Sequence, residues 1–136
     1  ERGADAIALC APVEAEIAEL DPADQPEFLQ SLGLSEPARA RFVRAAYKLL
    51  DSISFFTVGE DEVKAWTIRR GDRAPRAAGR IHSDLERGFV RAEVIHYGDL
   101  MAAGSEAKAR HDGKLRVEGK EYVVQDGDIL HVRFAV

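Results

Sequence analysis

The 136-residue sequence holds one cysteine, one tryptophan and one methionine, and it has no long apolar run. The single thiol, Cys10, excludes an internal disulfide and fits a reducing compartment. The longest apolar run, Ala6 to Ala11, falls far short of the ~20 residues needed to cross a bilayer. No basic-then-apolar signal segment with a small-residue cleavage site is present either. A membrane is therefore not an expected partner, and the cytoplasm is the expected location. An excess of basic charge is also missing. With 24 acidic and 19 basic residues the net charge is −5, which disfavours wrapping in nucleic acid through bulk charge but leaves room for a local basic face. There is no GxxxxGK[ST] phosphate loop, no GxSxG nucleophile elbow and no HExxH zinc pair. His82, His96, His111 and His131 stand singly, none at helical ligand spacing, so no metal site is expected. No catalytic site is expected in this chain by itself.

What is there fits a folded globular chain: 46% apolar and 32% charged residues argue against disorder. The sequence begins with Glu1 rather than Met and enters at once an apolar run, Asp5 to Ala11. Such a run fits a strand buried on both faces, as in parallel sheets, and here it has no partner strand. The expectation is a piece of a longer protein, with this strand belonging to a domain upstream. Pro12 stops it, and VEAEIAEL sets Val13, Ile17 and Leu20 at helical spacing. Asp21-Pro22 reads as the start of a second helix over 23–32, closed by Gly33. Ser35-Glu36-Pro37 opens a third, with Phe42, Ala45, Ala46 and Leu49 on one stripe and Arg39, Arg41, Arg44 and Lys48 on a solvated face.

After Asp51 the pattern changes to strands. ISFFTVG and VKAWTIR, joined by Gly59-Glu60-Asp61-Glu62, predict a hairpin with Trp66 and Ile68 on its buried face. A short helix over 74–81 runs to a turn at Glu86-Arg87-Gly88, and the strand FVRAEVIHY leaves it. Tyr97 to Lys108 reads as helical turns around Leu100 and Met101, and LRVEG and KEYVV as short strands meeting at Gly119-Lys120. Asp126-Gly127 then turns into ILHVRFAV. The order is α+β: a small sheet gripping one helix, with Trp66, Ile68, Ile81, Phe89, Val94, Leu130, Val132 and Phe134 as the core.

Three sets of residues bear on chemistry. His82 is read as closing a helix by bonding a terminal carbonyl rather than as a proton shuttle, since no nucleophile or base stands near it. Asp126 and Asp128 are read as turn-shaping carboxylates that accept backbone amides. On the final strand His131 and Arg133 alternate with Leu130, Val132 and Phe134 and so face away from the core. If this strand lies beside VKAWTIR, Arg69 joins that outer face, and Arg91 lies near its edge. Such a basic sheet face suits phosphate contact.

At these residues a resemblance emerges. GDRAPRAAGRIHSDLERGFVRAEVI followed by GKEYVVQDGDILHVRF resembles a TGS domain, a small β-grasp, ubiquitin-like module. EAEIAEL, RAAYKLLDSISFFTVGEDEVKAWTIRRG, IHSDLERGF and EGKEYVVQDGDILHVRF together resemble, in colinear order, the C-terminal part of the Obg-like ATPases called YchF. The resemblance implies that residues 1–51 close a P-loop nucleotide-binding domain and residues 52–136 form the TGS domain. It implies a parent enzyme that hydrolyses ATP, or sometimes GTP, with magnesium, and that associates with ribosomes. Phosphate-loop and magnesium ligands belong to the region absent here, so the chain itself holds no cofactor. Cys10 and Ala11 match the family's base-approaching Ser-Ala-Lys-like motif, with Cys10 in place of the Ser and Pro12 in place of the Lys, so only their backbone is expected near the base. The expected role of this part is to bind ribosome or RNA through Arg69, Arg91, His131 and Arg133. The alternative is a regulatory domain that packs on its own nucleotide-binding domain and gates it without touching RNA.

Overall fold

The computed structural model describes residues 6–59 and 61–135. Asp5, Glu60 and Val136, expected in the first strand, the hairpin turn and the last strand, lie outside the described residues. The chain divides into two compact units, Glu1–Leu50 and Asp51–Val136.

The first unit is helical. Residues 6–10 carry no strand, and Ala11 already opens α1 (Ala11–Glu19), so the expected strand is not formed over the described part of that run. Pro12 starts this helix rather than ending a strand, because a proline in the first turn gives up an amide that has no intrahelical partner. A turn over 22–24 leads to α2 (Gln25–Ser31), which starts later than the Asp21-Pro22 signal because a second proline, Pro26, takes the first-turn position. Gly33 follows at φ 68, the left-handed conformation that closes helices. α3 (Ala38–Leu49) starts after Pro37. Both carboxylate oxygens of Glu14 lie 2.9 Å from the Ala38 amide, so α1 caps α3. Ile17, Leu29 and Ala38 are the buried residues of this unit, whereas Phe42 and Leu49 of the expected stripe are 61% and 85% exposed. On the basic side of α3, Arg44 forms a fork with Glu36 at 2.7 Å, and Arg41 reaches the Ala8 carbonyl at 3.0 Å.

The second unit is a five-stranded sheet. Its strands are β1 (Ser52–Val58), β2 (Val63–Arg69), β3 (Phe89–His96), β4 (Arg116–Glu118) and β5 (Asp128–Phe134), in the order β2-β1-β5-β3-β4. β1 and β5 are parallel, and the other pairs are antiparallel. This is the α+β, β-grasp arrangement: two antiparallel pairs with the last strand between them and a helix across one face. That helix, α4 (Ala74–Ile81), buries Ala74, Ala77 and Ala78 against Ile53, Phe55, Ile68, Phe89, Ala92, Val94 and Leu130. Three small residues on one helical face let the backbone of α4 approach the sheet closely.

Of the expected core, Trp66, Ile81 and Val132 are partly buried and pack against it, and the placing of Phe134 there needs correction. Trp66 is half-buried, its Nε1–H donating to Thr57 Oγ1 at 3.0 Å and the Lys64 ammonium lying 4.4 Å from its ring centre. Phe134 is 46% exposed, near the end of β5, where it lines an open hollow with Asp84 and Arg87 of the short helix before β3. KEYVV forms no strand; it runs beside the loop before α4, joined by Ala74 N–H to Tyr122 O and Val124 N–H to Asp72 O, with a lone bridge between Arg73 and Val123.

α4 hands over to α5 (Ser83–Arg87) at His82, whose Nδ1 accepts the Asp84 amide at 3.2 Å. His82 thus closes α4, its backbone N–H donating to the Ala78 carbonyl at 3.1 Å, and its side chain also caps the start of the next helix. β3 leads through His96, in the same capping role for Gly98, into α6 (Tyr97–Ala103), and α7 (Glu106–His111) follows after Gly104 at φ 79. The two carboxylates of the Asp-Gly turn divide the work. Asp126 accepts the Ser54 amide of β1 at 2.8 Å. Asp128, fully buried, accepts the Gln125 amide at 2.8 Å and the Tyr122 hydroxyl at 2.7 Å.

Candidate nucleic-acid interface

The face of the sheet away from α4 carries the basic residues, and a register break decides which. Strict alternation from the buried Phe89 would turn Arg91 inward. An irregularity between Phe89 and Arg91 adds one residue, so Ala92 and Val94 face the core and Arg91 faces out. Arg91 then stands directly opposite Arg133 of β5, and Glu93 directly opposite His131. Two guanidiniums on adjacent strands in one cross-strand pair repel each other unless an anion lies between or beside them.

Glu93 supplies part of that anion. Its Oε2 accepts from Arg133 at 3.4 Å and lies 3.6 Å from Arg110 of α7, which also meets Glu106 at 3.5 Å. These distances exceed a good charge-assisted hydrogen bond. Arg133 and Arg110 keep 57% and 54% of their side-chain surface in water, against 19% for Glu93. The largely buried carboxylate therefore steers two guanidiniums without saturating them. Beside this cluster α6 and α7 leave a cleft of about 300 Å³ on the sheet, walled by Val58, Ile95, Leu100, Met101, Leu115 and Ile129, with Glu93 and His131 at its polar rim. Tyr97, half exposed, sits with its ring 6.2 Å from that of Phe56 at 42°.

Arg91, His131 and Arg133 are thus brought together; Arg69 is not. β5 pairs with β1 and β3, so β1 intervenes between β5 and β2, and the expected neighbourhood of the last strand with VKAWTIR is wrong. The hairpin puts Arg69 opposite Ser52, at one end of β1, while the Phe56–Ile129 parallel register carries Arg133 past the other end. Their Cα atoms lie about 25 Å apart along the strands at roughly 3.3 Å per residue. Both residues face away from the core, as alternation requires, but a strand period says nothing about which strand lies next. Cys10 caps α1 in extended backbone at φ −106, with its thiol exposed, and Ala11 is the first helical residue. The Arg91 bulge and the contributions of Arg110, Tyr97 and Met101 escaped the sequence reading. The only sequence trace of Arg110 is its i,i+4 spacing from Glu106 on a short helical segment.

A second polar cluster lies at the other edge. Tyr122, between the Asp128 carboxylate and the Arg116 guanidinium, donates to the first and accepts from the second at 3.0 Å. Burial, reinforced by the bond to Asp128, pushes the Tyr122 hydroxyl up to about 12. Among the described residues no three His, Cys, Asp or Glu side chains converge as metal ligands.

Comparison with known proteins shows the family and the fold. The family YchF-GTPase_C, described as "Protein of unknown function (DUF933)", matches residues 52–135. The chain is 52% identical, over 98% of its length, to the ribosome-binding ATPase YchF of Bacillus subtilis, and 40% identical over 97% to the Obg-like ATPase 1 of Gallus gallus. It spans about a third of those relatives, 36% and 33% of their lengths. The YchF GTPase structure from Schizosaccharomyces pombe matches 87% of this chain and 31% of that one, with a TM-score of 0.76 at 39% identity. A GTP-binding protein from Pyrococcus horikoshii, at 23% identity and TM-score 0.53, shares the fold. With its β-grasp unit matched by the family almost from end to end, the chain belongs to YchF-GTPase_C, as the C-terminal part of a YchF-type Obg-like ATPase.

Proposed function

We propose that this chain is the ribosome-binding module of a P-loop ATPase and that its outer sheet face contacts RNA. The observation that carries this reading is the Arg91–Arg133 cross-strand pair, with Arg133 and Arg110 both gathered on the largely buried Glu93. Guanidiniums fixed on a rigid sheet and open to water suit bidentate contact with phosphate oxygens, and the exposed ring of Tyr97 on the same side offers a stacking surface for a base. That relatives of half-identical sequence are named ribosome-binding supports the partner. On this reading residues 52–136 are the TGS domain, residues 1–51 complete the nucleotide-binding domain, and the backbone at Cys10 and Ala11 lies near the base in the intact parent. The whole protein works in the cytoplasm and hydrolyses ATP or GTP with magnesium. The residues present here do not fit a triphosphate–magnesium site, since the sequence has no phosphate loop and no cluster of acidic ligands is described. Hydrolysis therefore belongs to the region of the parent beyond this chain.

One observation favours the second reading, domain packing that gates the nucleotide site. The cleft beside the arginines is apolar, which suits cover by protein rather than by phosphate. Ribosome co-sedimentation of the intact parent carrying Arg91→Ala with Arg133→Ala separates the two. The RNA reading expects binding to drop about tenfold or more at low salt, with a shallower salt dependence and an unchanged melting temperature. Unchanged ribosome binding with an altered basal ATPase rate transfers the face to domain packing.

A further inference from the structure

The residue that the outer face does not claim, Arg69, belongs to a different cluster. It lines a polar hollow of about 320 Å³ with Arg76, Arg80, Asp72, Thr67 and Ser52. Arg76 and Arg80 sit one turn apart on α4, so their guanidiniums share a face and repel. Little inside the chain offsets them. The Arg80 Nε–H is spent on the Thr67 carbonyl, 3.2 Å away on the edge strand β2, which pins the guanidinium but leaves its two terminal nitrogens. Arg76 has Glu86 at 3.9 Å, the outer limit of an ion pair. Among the described residues no carboxylate pairs with the Arg69 side chain. The one acid in the hollow, Asp72, uses an oxygen to accept the Arg69 backbone amide at 3.0 Å. The neighbouring arginines contrast with these three, since Arg70 meets Asp51 at 3.3 Å and Arg73 meets Glu121 at 2.8 Å.

We propose that the hollow between β2 and the face of α4 bearing Arg76 and Arg80 is a second anion site, separate from the outer face, and that it takes a terminal phosphoryl group. Three arginines line the hollow with one carboxylate, and Glu86 stands only at the outer limit of an ion pair from Arg76. A terminal phosphate carries about −1.5 to −2 at pH 7 and three acceptor oxygens, which suit the fork geometry of several arginines, whereas a phosphodiester brings only one charge. The pre-set parts are the turn at Gly71, φ 93, clamped by Asp72, and the pinned guanidinium of Arg80. A terminal phosphoryl group reaches the site from either of two sources: a free phosphorylated small molecule, or the 5′-phosphorylated end of a nucleic acid.

The test uses the 136-residue chain, which lacks a phosphate loop that could bind the probes elsewhere. The probes are inorganic pyrophosphate and a short single-stranded RNA with either a 5′-phosphate or a 5′-hydroxyl. The variants are Arg69→Gln with Arg76→Gln, which leave the Arg80–Thr67 bond in place, and Arg44→Gln with Arg87→Gln, two exposed arginines outside both faces, as a charge-matched control. The site predicts about tenfold weaker binding in the first variant and little change in the control. If the 5′-phosphate RNA outbinds its hydroxyl form and that preference vanishes in Arg69→Gln/Arg76→Gln, the source is a nucleic-acid end. If only pyrophosphate binding is lost, the source is a small molecule. Equal losses in both variants, or no binding of any probe to the parent chain, overturn the proposal. Thermal melts of both variants confirm that folding is intact.

Discussion

At the scale of single residues, burial separates two aromatic neighbours that the sequence made look alike. Phe55 and Trp66 face each other across the β1–β2 hairpin, but Phe55 is fully buried and Trp66 only half so. Phe55→Ala should lower the unfolding free energy by about 3–5 kcal/mol, as emptying a closed aromatic site does. Trp66→Ala should cost less, about 2 kcal/mol, because water already reaches part of its site. Denaturant midpoints rank the two, and a larger effect at Trp66 contradicts the packing described. Tyr122 sets a pH limit. Its hydroxyl, lifted from an ordinary 10.0 to about 12 by burial and the bond to Asp128, stays protonated in the fold at pH values where the unfolded chain releases that proton. The stability it contributes is complete below pH 10 and is lost as pH rises toward 12. Tyr122→Phe should flatten that alkaline decline, measured as the urea midpoint against pH.

At the scale of elements, glycine placement tests how tightly the corners are built. A Cβ on Gly88, at the α5–β3 corner, would stand 2.1 Å from the Ala135 carbonyl oxygen, and Ala135 N–H bonds back to Gly88 O at 2.8 Å. With an ordinary φ of −90 the backbone accepts any residue, so the whole penalty is contact. Gly88→Ala should cost roughly 1–3 kcal/mol and shift the thermal midpoint down accordingly. At this scale much of the second unit was legible. The period of two in ISFFTVG and VKAWTIR located β1 and β2, and the Asp-Gly signal with Gly127 at φ 87 located the entry to β5. The helix over 74–81 was legible because its proline start and alanine face coincide. What failed were features that alternation does not encode: strand order, which displaced Arg69 from Arg133; the extra residue that turns Arg91 outward; and KEYVV, β-prone in composition but occupied by bonds to the loop before α4. In the first unit the apolar run before Pro12 carried a strand composition, yet over residues 6–10 it has no strand to pair with among the described residues, and an unpaired strand leaves its amides unsatisfied.

At the scale of the whole molecule, a net charge of −5 coexists with two separate groups of under-neutralised arginines. Acidic residues on the rest of the surface limit indiscriminate attraction of polyanions, so contact is confined to places where guanidiniums are held in a fixed geometry. The position of β5 has a further consequence, for the order of events in time. The hairpin β1–β2 is local, and β3 meets β4 after a modest excursion; in the sheet the two pairs are joined by hydrogen bonds only through β5, the last of the five strands in sequence. Joining β1 to β5 brings Phe56 beside Ile129, closing a loop of some seventy residues at an entropic cost of about 4 kcal/mol. The capture of β5 is therefore the step expected to set the rate at which the unit acquires its structure. Leu130→Ala should slow refolding while changing the unfolding rate little, whereas a substitution in the peripheral β4, such as Val117→Ala, should act mainly on unfolding. Stopped-flow refolding resolves the two limbs, and the opposite assignment would show that the hairpins, not their bridge, form the nucleus.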